Sequence, residues 1–281
     1  MNQIEIIEFI SFENFIKNIN FHLNNFIEKG AVAYRNANIS REQQFEILGL
    51  LGDKLNCSPT TNQIKNESYN TSYIENHKKL KEHRQDIDKD SIFLSWHVEH
   101  VYYKNPIVSA IWNMYNFKCD PTVGRTNFVD TTKLYKTLPQ EWKNFLKHCA
   151  EKNYPQPYYD AAIENILDYV EYVKPHWVTK EPTLRINLSD KDKNINIKFT
   201  NNKEVTEKDM QLFKKIDKYC FDQIHNNKNI RMFHEWNQGD LVFVDIFRMA
   251  HAVSGGFNPK DREFEGTWST LDKTNWQPTS V

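Results

Sequence analysis

The sequence is poor in cysteine and has no long apolar run. It contains only four cysteines, none of them in a Cys-x-x-Cys pair: Cys57, Cys119, Cys149 and Cys220. This scarcity argues against a disulfide scaffold or a cysteine-rich zinc module, and it favours the reducing cytoplasm. No uncharged apolar segment is long enough to cross a bilayer, and the first residues lack the basic segment of a signal peptide. We therefore expect a cytoplasmic protein without a membrane partner.

An excess of charge of either sign is also absent. The chain has 36 Lys and Arg residues against 37 Asp and Glu residues, a net charge of −1. This balance argues against nonspecific phosphate binding, so we expect no nucleic-acid partner. Apolar material is plentiful, because 39 % of the 281 residues are hydrophobic and 14 % are aromatic. No repeat or linker divides the chain, so we expect residues 1–281 to form a single domain.

The first fifty residues have the pattern of a helix, a strand and a second helix. Apolar residues recur at spacings of three and four over residues 12–29, which predicts one amphipathic helix that ends at Gly30. Residues 31–35 (AVAYR) predict a short strand. Ser40 begins a capping-box pattern and predicts a second helix, with Gly52 as its stop.

Residues 54–90 are polar and rich in Asn, Lys and Asp. We interpret them as a long loop with a helical piece near residues 76–87. A loop of this length inside a compact domain is typical of a lid or a binding loop, although a solvated decoration fits the composition equally well.

The remaining sequence alternates short strand-like runs with two helices. One helix is predicted at residues 139–149, with Pro139 at its start, and the other at residues 205–226, with Thr206 as its cap. The buried stripe of the second helix consists of Met210, Phe213, Ile216, Tyr219 and Cys220. The strand-like runs lie in residues 92–117, 126–130, 166–200, 231–236, 241–246 and 262–268. Many short strands with helices before and between them predict an α+β protein around an antiparallel β core.

His97 and Glu99 are the first candidate for a metal site. Residues i and i+2 of a β-strand point to the same face, so this imidazole and this carboxylate can converge on one ion. The pair alone is weak support, since a chain with ten histidines and 37 acidic residues contains such a pair by chance.

A second candidate lies far along the chain. His251 closes the strand-like run of residues 241–251, and a dense group of turn residues separates it from Arg262. A hairpin here would put His251 and Arg262 on neighbouring antiparallel strands, about 5 Å apart. Two histidines and one carboxylate on one face of a non-haem Fe(II) leave three positions open for a chelating co-substrate and O₂. The guanidinium fork of Arg262 suits a carboxylate beside that metal.

Four segments, in this order, resemble the TauD/TfdA family of Fe(II)/2-oxoglutarate-dependent dioxygenases. Residues 30–52 are similar to the family's opening strand–helix unit, and residues 96–100 (WHVEH) stand where the family has Trp-His-Thr-Asp. Residues 123–139 and 236–253 are similar to the family patterns GGDTxFADxxxAYxxLP and WxxGDLVxWDNRxxxHxx. The resemblance implies an α+β fold with a double-stranded β-helix (jelly-roll) core and flanking and inserted helices.

The resemblance also implies a role for five side chains. His97, Glu99 and His251 would hold Fe(II). Arg262, eleven residues past the distal histidine as in the family, would pair with the far carboxylate of 2-oxoglutarate, and Thr126 would add a hydroxyl to it. The implied reaction is the hydroxylation of a small polar metabolite, such as an amino acid, with 2-oxoglutarate and O₂ as co-substrates and succinate and CO₂ as products.

Three positions depart from the family pattern. The acidic ligand is Glu99, where Asp is commoner, and some relatives that act on free amino acids share this choice. Arg125 replaces the usual acidic residue. Taurine-using members place a second arginine fifteen residues after the distal histidine, and here that position is Gly266, which argues against taurine as the substrate.

Two other functions stay open at this point. One is a metal-dependent jelly-roll hydrolase or isomerase without redox chemistry, which would have no need of a keto-acid clamp formed by Arg262 and Thr126. The other is an inactive relative that acts as an interaction module, against which the retention of three ligands argues. The spare ligands, should the assignment fail, are His100, His176 and His234.

Overall fold

Two facing β-sheets form the centre of the molecule. The computed structural model describes residues 1–59, 92–99, 101–153, 166–186, 195–257 and 261–271. The first sheet contains, in spatial order, β1 (Asn2–Gln3), β13 (Arg231–His234), β7 (Thr126–Asp130), β15 (Met249–Ser254) and β5 (Ile92–His97). The second contains β2 (Glu5–Glu8), β3 (Ala31–Arg35), β14 (Leu241–Val244), β6 (Ile107–Phe117), β16 (Arg262–Leu271) and β4 (Cys57–Pro59).

Pairing within these two sheets is antiparallel except at one edge of each. There, β1 runs parallel to β13, and β2 runs parallel to β3. Two facing sheets of mostly antiparallel strands, filled in by distant parts of the chain, form a jelly roll. The double-stranded β-helix core implied by the sequence is therefore confirmed.

Helices and two smaller sheets flank this core. The helices are α1 (Phe12–Lys17), α2 (Ile19–Lys29), α3 (Arg41–Leu55), α4 (Thr131–Thr137), α5 (Gln140–Leu146) and α6 (Glu207–Asn226). One small sheet has the order β12 (Ile197–Phe199), β8 (Cys149–Lys152) and β9 (Tyr169–Glu171). The other pairs β10 (Val173–Pro175) with β11 (Pro182–Leu184). The predicted α+β class is confirmed.

Apolar side chains fill three layers. Between the two large sheets, Trp112, Phe128, Trp236 and Met249 belong to one buried cluster. Outside the first sheet, α6 buries Phe213, Ile216 and Cys220, while Met210 and Tyr219 are partly buried against the same cluster. Outside the second sheet, α1, α2 and α3 supply another cluster, which includes Phe15, Phe26, Ile47 and Leu48. The space between the sheets is thus the inside of the jelly roll.

The N-terminal helices differ from prediction at two points. Asn18 interrupts the helix expected over residues 12–29, because its side-chain amide donates to the carbonyl oxygen of Asn14 at 2.8 Å, a local bond that competes with the helix. The capping box of Ser40 forms as predicted. The helix it starts runs past Gly52 to Leu55 and ends on Asn56 at a φ of 54°, a conformation that asparagine tolerates.

A turn at residues 245–248 breaks the strand-like run of residues 241–251. The backbone N–H of Met249 donates to the Asp245 carbonyl oxygen at 2.9 Å, and the Asp245 carboxylate lies 3.1 Å from the Arg248 guanidinium. The chain therefore crosses from β14 in the second sheet to β15 in the first. The expected hairpin was wrong, because His251 and Arg262 lie on strands of different sheets.

Three smaller outcomes complete the comparison. The helix expected at residues 139–149 ends earlier, at Leu146, and Cys149 begins β8. Most of the polar segment 54–90, with its helical piece near 76–87, lies outside the described residues. None of the helices in the described part of the chain combines the length and the apolar character that a membrane span requires.

Candidate active site

The side chains of His97, Glu99 and His251 meet in one place. Each offers one ligand atom, and the three atoms lie within 4.8 Å of one another. Oε2 of Glu99 lies 3.4 Å from Nε2 of His97 and 3.4 Å from Nε2 of His251. The structure thus brings together three residues that are distant in the sequence.

Strand pairing positions the two histidines. His251 in β15 is the register partner of His97 at the end of β5, and their ring centroids are 4.1 Å apart. The i, i+2 argument assumed that Glu99 lies within a strand. In the structure it lies just past the end of β5. Val98 between them packs into the cluster behind the sheet, so its neighbours on either side face the inside of the jelly roll.

His251 is held as a neutral imidazole. Burial lowers its pKa, and the neighbouring His97 lowers it further, while Glu99 raises it. Its Nδ1 lies 3.4 Å from the carbonyl oxygen of Met249, which leaves Nε2 with the lone pair toward the cluster. Trp112 of the second sheet lies behind the ring, with centroids 5.1 Å apart.

The donor set fits a divalent transition metal. Nitrogen and oxygen ligands about 2.1 Å from a metal, at adjacent positions, are about 3 Å apart, close to the two 3.4 Å separations around Glu99. Two imidazoles and one carboxylate on one side of an ion form the set that non-haem Fe(II) oxygenases use, with the other side open.

Thr126 and Arg262 both contact the indole of Trp236. Nε1 of Trp236 donates to Oγ1 of Thr126 at 2.9 Å, and Cζ of Arg262 lies 5.8 Å from the centre of the Trp236 ring. Thr126 pairs with Val253, two residues beyond His251 on β15. The two residues predicted to hold a carboxylate therefore lie together around Trp236, with Thr126 on the strand that pairs with β15 and Arg262 on β16 of the second sheet.

Comparison with known proteins identifies the family. The model of the family described as "Taurine catabolism dioxygenase TauD, TfdA family" matches residues 22–268. The chain belongs to this family. A sequence comparison with curated proteins gave no significant match.

Solved structures share the fold of this TauD/TfdA member. A structure of AAD-2 in complex with Mn(II) and N-oxalylglycine has a TM-score of 0.62 and 12 % identity, covering 99 % of this chain and 98 % of that chain. A putative alpha-ketoglutarate-dependent 2,4-D dioxygenase from Burkholderia xenovorans has a TM-score of 0.62 and 14 % identity, with coverages of 97 % and 94 %. A taurine dioxygenase from the same organism has a TM-score of 0.61 and 14 % identity, with coverages of 96 % and 88 %.

Family membership defines the chemistry of the protein. It is an Fe(II)/2-oxoglutarate-dependent dioxygenase, with 2-oxoglutarate and O₂ as co-substrates. Such an enzyme binds small molecules, and the bound iron supplies the activation of O₂. The sequence-based expectations of enzyme class and cofactors are therefore confirmed.

The spare histidines have other partners. Nε2 of His234 lies 2.9 Å from Oδ2 of Asp240, which also accepts from Nη1 of Arg35 at 2.6 Å. Nε2 of His176 lies 2.7 Å from Oδ2 of Asp245. Neither histidine belongs to the cluster of His97, Glu99 and His251, and His100 lies outside the described residues.

These two networks flank one strand of this TauD/TfdA member. Asp240 precedes β14 and Asp245 follows it, and both carboxylates are fully buried. Backbone N–H groups of Val178 and Thr179 donate to Nδ1 of His176, so Nε2 of His176 carries the proton that Asp245 accepts. Each end of β14 is thereby fixed by an aspartate, a histidine and an arginine.

The departures from the family pattern have structural counterparts. Arg125 forms an ion pair with Glu235, with Nε 3.0 Å from Oε1, so its positive charge is balanced at the edge of β13. At Gly266 a Cβ atom would lie only 2.6 Å from Cη2 of Trp268 and 3.2 Å from Cδ1 of Trp112. The indole of Trp268 thus occupies the place where a side chain at position 266 would begin.

Sequence reasoning missed the part that Trp236 and Trp112 take in the site. Trp112 contacts the ring of His251, and Trp236 contacts both Thr126 and Arg262. Trp236 is the first residue of the WxxGD motif, which was the available signal. For Trp112 the strand pattern gave none, because buried aromatic residues are common in any core.

Proposed function

We propose that this enzyme hydroxylates a small polar metabolite, an amino acid or a related compound, and releases succinate and CO₂. In this proposal His97, Glu99 and His251 bind Fe(II), and Arg262 and Thr126 bind the far carboxylate of 2-oxoglutarate. The observation that carries it is the convergence of the three ligand atoms within 4.8 Å, in a member of the TauD/TfdA family.

The length of 2-oxoglutarate supports the position of the clamp. Val253, the register partner of Thr126, lies two residues from His251 on β15, a distance of about 7 Å along a strand. An extended five-carbon dicarboxylate has a comparable length. Its keto-acid end can therefore reach the metal-binding cluster while its other carboxylate reaches Thr126.

In this proposal the residues around the cluster have different roles. Arg262 supplies the positive charge and the fork of N–H donors that a carboxylate needs. Trp112 and Phe128 stack with ring centroids 6.0 Å apart beside His251 and keep water from that side of the ligands. His251, neutral and buried, offers its Nε2 lone pair to the metal.

The surroundings of Gly266 support a substrate without a sulfonate anchor at this position. The indole of Trp268 covers Gly266, so an apolar surface stands where taurine-using relatives have an arginine. This apolar surface offers a sulfonate no cationic partner, whereas it can contact an uncharged part of an amino acid.

The metal and co-substrate roles are tested by anaerobic spectroscopy. We expect Fe(II) and 2-oxoglutarate together to give the weak visible charge-transfer band of a chelated keto acid in the wild-type protein. His97→Ala and His251→Ala should lose the band, while substitution of the exposed His148 by alanine should keep it. Absence of the band in the wild type would contradict the proposal.

The substrate class is tested by a succinate-production screen. Free amino acids, sulfonates and aryloxy acids are supplied in turn, and products sixteen mass units heavier are sought by mass spectrometry. We expect an amino acid or a close relative to increase succinate formation and to gain one oxygen atom. Stimulation only by sulfonates or aryloxy acids would replace the proposed substrate class.

The same assay discriminates the two alternatives. O₂-dependent release of succinate excludes a hydrolase or an isomerase that uses the cluster for another ion. Metal analysis of anaerobically purified protein tests the inactive interaction module, because a module without a metal function would hold less than a stoichiometric amount of iron after reconstitution.

We also propose that the enzyme acts as a single domain in the cytoplasm, without a nucleic-acid or membrane partner. The support is the net charge of −1 and the four cysteines, all of them free thiols. Retention on DNA-cellulose or flotation with anionic vesicles at physiological salt would contradict the absence of such partners.

A further inference from the structure

The indole of Trp236 joins the two halves of the proposed carboxylate clamp. Trp236 is fully buried between the sheets. Its N–H bonds to the Thr126 hydroxyl, and one face of its ring lies toward the Arg262 guanidinium. A single side chain thus contacts both groups that would hold the far carboxylate of 2-oxoglutarate.

The bond from Trp236 fixes the direction of the Thr126 hydroxyl. An indole N–H only donates, so the Thr126 oxygen is the acceptor, and its own proton remains to be donated. Among the residues that the structure describes, none accepts a hydrogen bond from this hydroxyl, which is buried. An ionised carboxylate is purely an acceptor. A hydroxyl oriented in this way is therefore prepared to donate to a bound carboxylate.

Aromatic rings hold Arg262 in a defined orientation. Its Cζ lies 5.8 Å from the centre of the Trp236 ring and 5.3 Å from the centre of the Phe257 ring. Both separations are within the range of cation–π contacts. A guanidinium beside aromatic rings keeps its charge, and its planar fork of N–H donors matches a carboxylate in a bidentate manner.

Trp236 also packs against His234. The ring of His234 meets it edge-to-face, with centroids 4.6 Å apart and an interplanar angle of 84°. His234 is fixed by Asp240, whose Oδ2 also accepts from Arg35 and from the backbone N–H of Asn237. The indole is therefore supported by a buried network that does not include the metal ligands.

We propose that Trp236 is a positioning residue for 2-oxoglutarate: its N–H turns the Thr126 hydroxyl into a donor toward the far carboxylate, and its ring orients Arg262. This inference rests on the proposed function. It goes further in assigning the hydrogen-bond direction at Thr126 and the residue that sets it.

The test compares two keto acids on the Mn(II)-loaded protein, which binds them without turnover. Isothermal titration gives Kd for 2-oxoglutarate and for 2-oxovalerate, which has the same number of carbons but no far carboxylate. The variants are Trp236→Phe, Thr126→Val and the double variant. Trp177→Phe is the matched control, because this buried tryptophan belongs to the cluster outside the second sheet.

We expect each single variant to weaken 2-oxoglutarate binding about 5- to 10-fold, the range for one hydrogen bond, and to leave 2-oxovalerate binding unchanged. The double variant should bind no more weakly than Thr126→Val alone, because the indole N–H acts on the carboxylate only through the Thr126 hydroxyl. Trp177→Phe should match the wild type with both acids.

Three results would overturn the inference: unchanged 2-oxoglutarate affinity in Trp236→Phe, independent losses that multiply in the double variant, or equal losses for both keto acids. A wild-type protein that does not prefer 2-oxoglutarate to 2-oxovalerate would instead contradict the clamp of the proposed function. Should Trp236→Phe fail to fold, Thr126→Ser keeps the test open. With the indole in place, the serine hydroxyl of Thr126→Ser should keep the affinity for 2-oxoglutarate that Thr126→Val loses. An equal loss in both variants would refute the assigned direction of the hydrogen bond.

Discussion

His97 and His251 are register partners across the β5–β15 ladder, with ring centroids 4.1 Å apart. Two imidazoles at this separation, with Glu99 within 3.4 Å of both, are held together by backbone pairing as well as by any ion. Strand register thus contributes to holding the two imidazoles together, and a metal ion bound only by the folded chain would stabilise it.

Mn(II) is therefore expected to raise the Tm of the wild-type protein. At a hundredfold excess over Kd, a ligand that binds only the native state contributes about 2.7 kcal/mol, a shift of several degrees for a chain of this size. His251→Ala should abolish the shift in differential scanning calorimetry, while His148→Ala should preserve it. An equal shift in the His251 variant would place the ion elsewhere.

Arg262→Lys is expected to weaken the use of 2-oxoglutarate more than it slows turnover. Lysine keeps the charge but loses the planar fork, and it replaces the guanidinium that lies near Trp236 and Phe257. We expect KM for 2-oxoglutarate to rise at least about 10-fold with a smaller change in kcat. Arg41→Lys, at the exposed ion pair with Glu265 on the outer side of the same strand, should leave both constants unchanged.

Gly266→Ala is expected to destabilise the protein by about 1–3 kcal/mol. The added Cβ would lie 2.6 Å from Cη2 of Trp268, so the indole must move. Gly49→Ala is the control, because nothing lies within 4 Å of the added atom in α3, and the substitution should stabilise by up to about 1 kcal/mol. Urea denaturation measures both, and equal effects would contradict the crowding at Gly266.

Stability is expected to fall as the pH decreases from 7 to 5, with a contribution from His22. This ring is buried and stacks on Phe15 with centroids 4.0 Å apart, and burial lowers its pKa from 6.5 to about 4. Below pH 6.5 the His22 imidazole becomes protonated in the unfolded chain, whereas in the folded chain it stays neutral down to about pH 4. The free energy of unfolding therefore decreases across this window.

His22→Phe should reduce this pH dependence by about 2 kcal/mol between pH 7 and pH 5. Urea midpoints at the two pH values give the difference, and the exposed His148→Gln variant is the control. An unchanged slope in His22→Phe would mean that the buried ring does not contribute to the loss of stability. The other histidines with a lowered pKa, His225, His234 and His251, change stability in the same direction.

Local sequence patterns predicted the helices and strands, whereas the arrangement of the site depends on pairing between strands that are distant in the sequence. The capping box at Ser40 and the buried stripe of α6 depend on spacings of three and four residues, so the sequence was sufficient there. The break between β14 and β15 depends on the buried pair of Asp245 with Arg248, which periodicity does not reveal. For this reason the relation of His251 to Arg262 was expected within one hairpin, whereas the two residues lie on strands of different sheets.

Strand geometry suggested some of the candidate site residues, but its assumptions were only partly right, and the prediction depended on the motifs. His97 and Glu99 are separated by one residue, yet Glu99 lies beyond the strand that the spacing argument assumed. Thr126 was predicted only by resemblance, and its contact with Trp236 joins a residue of β7 to one just past the end of β13. Contacts of this kind depend on the register of the first sheet, which follows from the whole fold.

The anchored strand β14 has a consequence for how this protein can vary. Trp236 lies on one side of it along the chain and His251 on the other, and both ends are fixed by buried aspartates. Because side chains alternate along a strand, one inserted or deleted residue here would turn inward-facing groups outward. We therefore expect length changes among natural variants to be rejected between Asp240 and Asp245, because this short stretch sets the spacing between Trp236 and His251.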